Sequence, residues 1–261
     1  MMIKLAINGA AGRMGRMVAA LASADERFKI VAALESTGNA HLGEDVGTVA
    51  GIGKIGVPIT ETAVDFDVII DFSSPTGAMT AVLVALENDA AIVTGTTGLN
   101  PEEFEVLMDA ANNIGVFTAS NFSRGIAALR EVATKLARDL PDADIEIVEA
   151  HHRMKADSPS GTALLIAEDL AAARNEKLDE IARYGRHGKI GPREDREIGI
   201  SAVRGGGIIG EHSVILALPY ETITIEHRVV SRELFAVGAL DVAVFIHDKI
   251  GYFEMKDLIN Q

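Results

Sequence analysis

Apolar and polar residues follow two rhythms along this 261-residue chain, and the change between them divides it. Ile3, Leu5 and Ile7 alternate with Lys4, Ala6 and Asn8, a period of two that predicts a short strand. "GAAGRMG" at 9–15 breaks it. Met14, Met17, Val18 and Leu21 then fall at i, i+3, i+4 and i+7, one face of a helix. A second apolar run, "KIVAALE" at 29–35, ends in an acid. "DVIIDFSSP" (67–75) is a continuous apolar run, as expected of a strand buried on both faces. A helical segment over 76–88, "AIVTGTTG" (91–98), a helix from Pro101 and "GVFTASNF" (115–122) continue the alternation, which predicts a parallel, doubly wound sheet.

After about residue 123 the rhythm changes. An amphipathic helix over roughly 124–140 leads into "IEIVEAHH". Three β-rich stretches, 198–204, 208–218 and 221–229, are joined by Gly205–Gly207 and by Pro219-Tyr220, and are expected to form an antiparallel meander. From Ser231 the pattern returns to helix ("RELFAVGALDVAVFI"). The expectation is an α/β protein: a Rossmann-type dinucleotide-binding domain over 1–122 plus 232–261, with an inserted α+β domain over 123–231.

Composition narrows the partners. Lys and Arg total 24 against 38 Asp and Glu, a formal charge of −14, which repels phosphodiester backbones and argues against nucleic acid. An anionic small ligand therefore needs a locally basic pocket. Cysteine is absent, so disulfides, thiolate metal sites and a Cys nucleophile are excluded. The apolar run of "MMIKLAINGA" is too short for a signal peptide, and no stretch approaches the ~20 apolar residues of a membrane span. A cytoplasmic protein without a membrane partner is expected.

"GAAGRMG" reads GxxGxxG, looser than GxGxxG, yet it lies between the first strand and the first helix. There, glycines let a pyrophosphate approach the helix N–H groups. Glu35 stands 20 residues beyond Gly15 at the end of the second strand, where a carboxylate can take an adenosine ribose. A nicotinamide dinucleotide is the favoured ligand. Ser36 and Thr37 add no base for a 2′-phosphate, which tilts the choice toward NADH, although Arg13 offers a charge to NADPH. "TGTTG" (94–98) and "ASNF" (119–122) close strands of the same sheet; they suit the nicotinamide carboxamide and ribose, or serve as ordinary turns and N-caps.

"EAHHRMKADSPSGTA" (149–163) sets His151 beside His152, with Lys155 three residues on. A helix is predicted to start just after, with Ser158 as N-cap, Pro159 at N1, and donors around Gly161 and Thr162. Imidazoles, an ammonium and a helix start in one place suit an anionic substrate. No metal is expected, because adjacent histidines lack the i, i+4 helical spacing of metal ligands. His187, His212 and His227 receive no role.

"GAAGRMG", "GTTG", "ASNFSRG", "EAHHRMKADSPSGTA" and "VRGGGIIGEH" occur in the order found in 4-hydroxy-tetrahydrodipicolinate reductases, which the chain resembles over nearly its whole length. The resemblance implies that Gly9, Ala10, Ala11, Gly12, Arg13 and Met14 cradle the pyrophosphate and that Glu35 takes the ribose. Gly95, Thr96 and Thr97, with Ala119, Ser120, Asn121 and Phe122, would line the nicotinamide side. It implies His151 and Lys155 as the proton-transfer residues, and His152, Gly161 and Thr162 as holders of the carboxylates of a small dianionic cyclic imine. It further implies NADH or NADPH as cofactor, a homotetramer, and a place in diaminopimelate and lysine biosynthesis. Many relatives carry Arg where this chain has Ser36. A rival reading is a nucleotide-binding regulator without chemistry. Tyr252 and Lys256 share the Tyr-x-x-x-Lys spacing of short-chain dehydrogenases, but in a C-terminal segment with no preceding catalytic serine.

Overall fold

In the computed structural model, which describes residues 2–260, the alternation of Ile3, Leu5 and Ile7 is strand β1 (Ile3–Asn8). There follow α1 (Arg13–Ser23), β2 (Phe28–Leu34), α2 (Val46–Ala50), β3 (Ile59–Thr60), β4 (Val68–Asp71), α3 (Pro75–Glu87), β5 (Ala91–Thr94), α4 (Pro101–Ala110) and β6 (Gly115–Thr118). All four residues of β4 and of β5 are buried, the price of helices on both faces of a parallel sheet. Local chemistry sets the helix starts: Ser74 caps α3 and Asn100 caps α4, each with proline in the first turn, and Glu103 completes a capping box.

The next segment comprises α5 (Arg124–Asp139), β7 (Asp144–His151), α6 (Gly161–Ala173), α7 (Leu178–Ile181), β8 (Ala182–Tyr184), β9 (Ile198–Arg204), β10 (Glu211–Ala217) and β11 (Thr222–Arg228). Then come α8 (Glu233–Ile246), β12 (Gly251–Phe253) and α9 (Met255–Ile259). Contacts divide the chain into two units: one runs up to Ser123 and resumes at Glu233, and the other is Arg124–Arg232. Among the described residues no helix is long and apolar enough to cross a membrane.

In the first unit the strand order is β12-β6-β5-β4-β1-β2-β3, and every pairing is parallel. The chain winds outward from β1 through β2 to β3 and then resumes at β4 on the opposite side of β1. The carboxyl ends of β1 and β4 are therefore the switch point, where such sheets bind ligands. Helix α8 packs on β4, β5 and β6, so the C-terminal segment completes this unit.

The second unit holds a five-stranded mixed sheet, β11-β10-β7-β9-β8. Here the meander expectation is corrected. β10 and β11 form an antiparallel hairpin, but β9 pairs parallel with β7, and β10 pairs antiparallel on the other side of β7. β9 ends and β10 begins at the same end of β7, so residues 205–210 cross over the His151 end of the central strand. Gly205 marks the crossing by donating its N–H to the His151 carbonyl at 2.9 Å. One face of β7, with Ile145 and Ile147, joins Val214, Leu216, Ile198 and Ile200 under α5 and α6 to form this unit's core.

Candidate active site

Each unit brings one group of the expected residues together. In the first unit, the loops after β1, β2, β5 and β6 gather at one sheet edge because all their strands are parallel. A Cβ at Gly9, where φ is +73°, would stand 2.6 Å from the Phe72 carbonyl oxygen, and one at Gly15 would stand 2.1 Å from the Gly9 carbonyl oxygen. Neither position accepts a side chain. Gly12 caps α1 with no side-chain acceptor, and Arg13 is exposed beside it. This bare helix start fits the pyrophosphate of a dinucleotide. Ala10 is buried and Met14 half-buried. Glu35 accepts from the Ala11 N–H at 2.9 Å and from Asn39 Nδ2 at 2.9 Å. Arg16 Nε donates to the Ala11 carbonyl at 2.7 Å, and Arg16 Nη2 lies 3.3 Å from His41 Nε2.

Asp71, fully buried at the end of β4, binds the neighbouring loops together. Its carboxylate accepts from Asn8 Nδ2 (2.7 Å), Ser73 Oγ (2.5 Å), Thr94 Oγ1 (2.7 Å) and Thr96 Oγ1 (2.7 Å). Gly95 lies between the rings of Phe72 and Phe122, and Thr97 is exposed. After β6, the Ala119 N–H donates to the Thr94 carbonyl at 3.1 Å and Asn121 Oδ1 accepts from the Ser123 N–H at 2.9 Å. Ser120 is exposed, whereas the Phe122 ring is core, stacked on Phe117 and edge-on to Phe72. Tyr252 lies on the edge strand β12 with its hydroxyl 2.6 Å from Thr118 Oγ1, and Lys256 pairs with Glu254 at 2.8 Å.

In the second unit, the strand period places Glu149 and His151 on the buried face of β7, while His152 is half-exposed beyond it. His151 Nδ1 donates to Glu149 Oε2 at 2.6 Å. Arg204, opposite His151 across the β7–β9 pairing, clasps the same carboxylate with Nη1 at 2.8 Å and Nη2 at 2.7 Å. Lys155 Nζ pairs with Asp157 at 2.8 Å.

The helix start differs from expectation. Ser160, not Ser158, is the N-cap, Gly161 is the first residue of α6, and Pro159 precedes the cap. The reason is twofold: Ser160 Oγ accepts the Ala163 N–H at 3.2 Å, and the Ser160 N–H is taken by Glu149 Oε1 at 3.0 Å. Gly161 and Thr162 thus open the first turn, with Thr162 half-buried.

Several cations meet here, Arg204 paired with Glu149 and Lys155 with Asp157. Burial, and then the charges of Arg232, His151, Lys155 and Arg204, push the His152 imidazole below its ordinary range. His212, on β10 opposite Glu149, is 3% exposed; its ring centroid lies 5.3 Å from that of His151, and its Nε2 is hydrogen-bonded to Ser160 Oγ at 3.2 Å. Burial, then the neighbouring His151, pushes it down to about 4.

Two sequence profiles cover the chain: "Dihydrodipicolinate reductase, N-terminus" matches residues 3–122 and "Dihydrodipicolinate reductase, C-terminus" matches residues 125–259. The chain belongs to the dihydrodipicolinate reductase family. A 4-hydroxy-tetrahydrodipicolinate reductase of Psychrobacter arcticus is 40% identical over 264 residues, covering 99% of this chain and 95% of that protein. Among solved structures, a dipicolinate-bound dihydrodipicolinate reductase from Paenisporosarcina sp. TG-14 superposes with a TM-score of 0.76 at 24% identity, covering 97% of this chain and 98% of the other. An amine dehydrogenase from Mycobacterium smegmatis shares the fold at 0.60 and 13% identity, over 97% and 95% of the two chains.

For this member of the dihydrodipicolinate reductase family, sequence reasoning missed Glu149, Arg204, His212 and Arg232. One of them left a signal: Glu149 is a charge in the period-two stripe Ile145, Ile147, Glu149, His151. Arg204 and His212 lie in "VRGGGIIGEH", and strand pairing is what carries them to Glu149; Arg232 is met only as a charge beside His152.

Proposed function

We propose that this chain reduces 4-hydroxy-2,3,4,5-tetrahydrodipicolinate to 2,3,4,5-tetrahydrodipicolinate with NAD(P)H and loss of water, a step of diaminopimelate and lysine biosynthesis. Family membership supports this reading. The observation that carries it is the charge around the two histidines: Arg204 and Lys155 match Glu149 and Asp157, and Arg232 adds a further cation, inside a protein of net charge −14. Such a local reversal of sign suits a substrate with two carboxylates.

The glycine loop from Gly9 to Met14 would hold the pyrophosphate, Glu35 the ribose, and the loops at Gly95–Thr97 and Ala119–Phe122 the nicotinamide side. Ser36 adds no charge beside Glu35, which favours NADH, while Arg13 and Arg16 supply cations for a 2′-phosphate. When bound, the nucleotide supplies a hydride from nicotinamide C4.

His152, Gly161 and Thr162, joined by Arg232, grip the carboxylates. Loss of water gives a C=C bond conjugated with the ring C=N. Hydride adds to the far end of that system, the electrons move to the ring nitrogen, and a proton returned to the carbon beside the imine restores C=N. His151, with Lys155, delivers that proton; a positioned acid of this kind contributes about 10²–10⁴ in rate. The Arg124–Arg232 unit is read as the substrate-binding and oligomerisation domain of a homotetramer. Its sheet face bearing Val148, Ile215 and Thr224 lies opposite the one that α5 and α6 cover.

The deciding experiment generates the substrate from pyruvate and aspartate semialdehyde and follows NADH and NADPH consumption separately. Oxidation of either nucleotide that depends on both precursors is expected. Binding of NADH without any oxidation would return the regulatory reading instead.

A further inference from the structure

The buried stripe of β7 is apolar until its end, where Ile145 and Ile147 give way to Glu149 and His151. A fully buried carboxylate is costly unless its lone pairs are taken. On Glu149 all are: Oε1 accepts from Arg204 Nη2 and the Ser160 N–H, and Oε2 accepts from Arg204 Nη1 and His151 Nδ1. Burial alone would push this carboxyl up. Bonds from Arg204, His151 and Ser160 outweigh it and hold the group below the ordinary carboxylate range. An ionised carboxylate only accepts, so the proton of a neutral His151 stands on Nδ1 and Nε2 is the nitrogen left to act. That nitrogen faces Gly210, where even a Cβ would come within 3.1 Å of it.

We propose that Glu149 and Arg204 act together as positioning residues for His151, the carboxylate fixing which ring nitrogen is offered to the substrate and the guanidinium offsetting the buried negative charge. The proposal rests on the reading of His151 as proton donor.

The second half follows from charge. A lone carboxylate 2.6 Å from Nδ1 would hold the ring as an imidazolium that keeps its proton. The two-pronged bond from Arg204 removes that pull. His212 from β10 stands beside the ring, the two centroids 5.3 Å apart. Asp157 is paired with Lys155, and its main-chain carbonyl accepts from Arg204 Nη2 at 2.8 Å.

The test uses full-length, nucleotide-free protein with ¹⁵N-labelled histidine. Imidazole ¹⁵N–¹H spectra are recorded from pH 5 to 9, roughly the span in which histidine titrates, and His151 is assigned with H151Q. Neutral His151 is expected as the Nδ1–H form. In E149Q that preference is lost and the ring titrates at lower pH, because Arg204 is left unpaired beside it. In R204Q the preference persists and titration moves to higher pH. In the coupled assay kcat/KM falls about 10²-fold in E149Q, at the lower end of general-acid contributions, with the nucleotide Kd unchanged.

An Nε2–H form in the unaltered protein, or both variants moving the titration the same way, overturns the proposal. If E149Q does not fold, the unaltered tautomer and the direction in R204Q decide. Spectra as expected with no nucleotide oxidation would sink the reaction reading and leave the positioning pair standing. Full activity in E149Q would sink the pair and leave the reaction.

Discussion

His212 makes the acid sensitivity of this fold calculable. It is almost fully buried, and its pKa is pushed from an ordinary 6.5 down to about 4, first by burial and then by the neighbouring His151. In the unfolded chain the same imidazole takes up a proton near 6.5. Between the two values the unfolded state therefore binds one proton more than the native state, and native stability falls as pH falls. The contribution is complete above pH 6.5 and is lost on the way down to about 4. Over that interval the loss amounts to about 3 kcal/mol. Carboxylates held low, such as Glu146 and Glu149, add their own acid sensitivity, so a variant isolates the histidine. His212→Leu keeps an apolar side chain of similar size and cannot titrate. Urea unfolding followed by far-UV circular dichroism suits a chain without tryptophan. Between pH 7 and pH 4.5 the unaltered protein should lose about 2–3 kcal/mol more stability than H212L. Equal losses in the two proteins would show that the native structure accommodates a charged His212 and would refute the argument.

Three further outcomes are expected. H151A and K155A should each lower kcat by about 10²–10⁴ while nucleotide affinity, read by NADH fluorescence, stays unchanged; an equal loss of affinity would count against their role. Gly15→Ala places a Cβ 2.1 Å from the Gly9 carbonyl oxygen, so the loop must move, and NADH binding should weaken at least tenfold in a titration. Asp71→Asn puts an amide among four donors that all point at a carboxylate, and urea denaturation should register a loss of about 2–3 kcal/mol.

The first unit was largely legible because a parallel strand buried on both faces leaves an unbroken apolar run, as Val68–Asp71 and Ala91–Thr94 do. Ile59–Thr60, Ala182–Tyr184 and Gly251–Phe253 were not, since two or three residues show no period. The glycine loop and the histidine pair are local in sequence and could be read. The pairing of β9 with β7 is not local, and it alone brings Arg204 to Glu149 across 55 residues. Likewise the bond between Ser160 and His212 spans 52 residues. The N-cap was misplaced by two residues because Ser158 and Ser160 offer the same hydroxyl, and only the bonds that Ser160 makes to the Ala163 N–H and to Glu149 separate them.

The detour of the chain through Arg124–Arg232 has a consequence during synthesis. A ribosome releases every strand of that unit before it has made α8 or β12. Until Gly251–Phe253 emerges, β6 presents a bare row of amides and carbonyls, and the apolar faces that α8 covers stand open. At roughly 5–20 residues per second the gap lasts seconds, long enough for a nascent neighbour to pair there. Folding yield in the cell should thus depend strongly on residues 233–261, which follow the last of the groups proposed to hold the substrate.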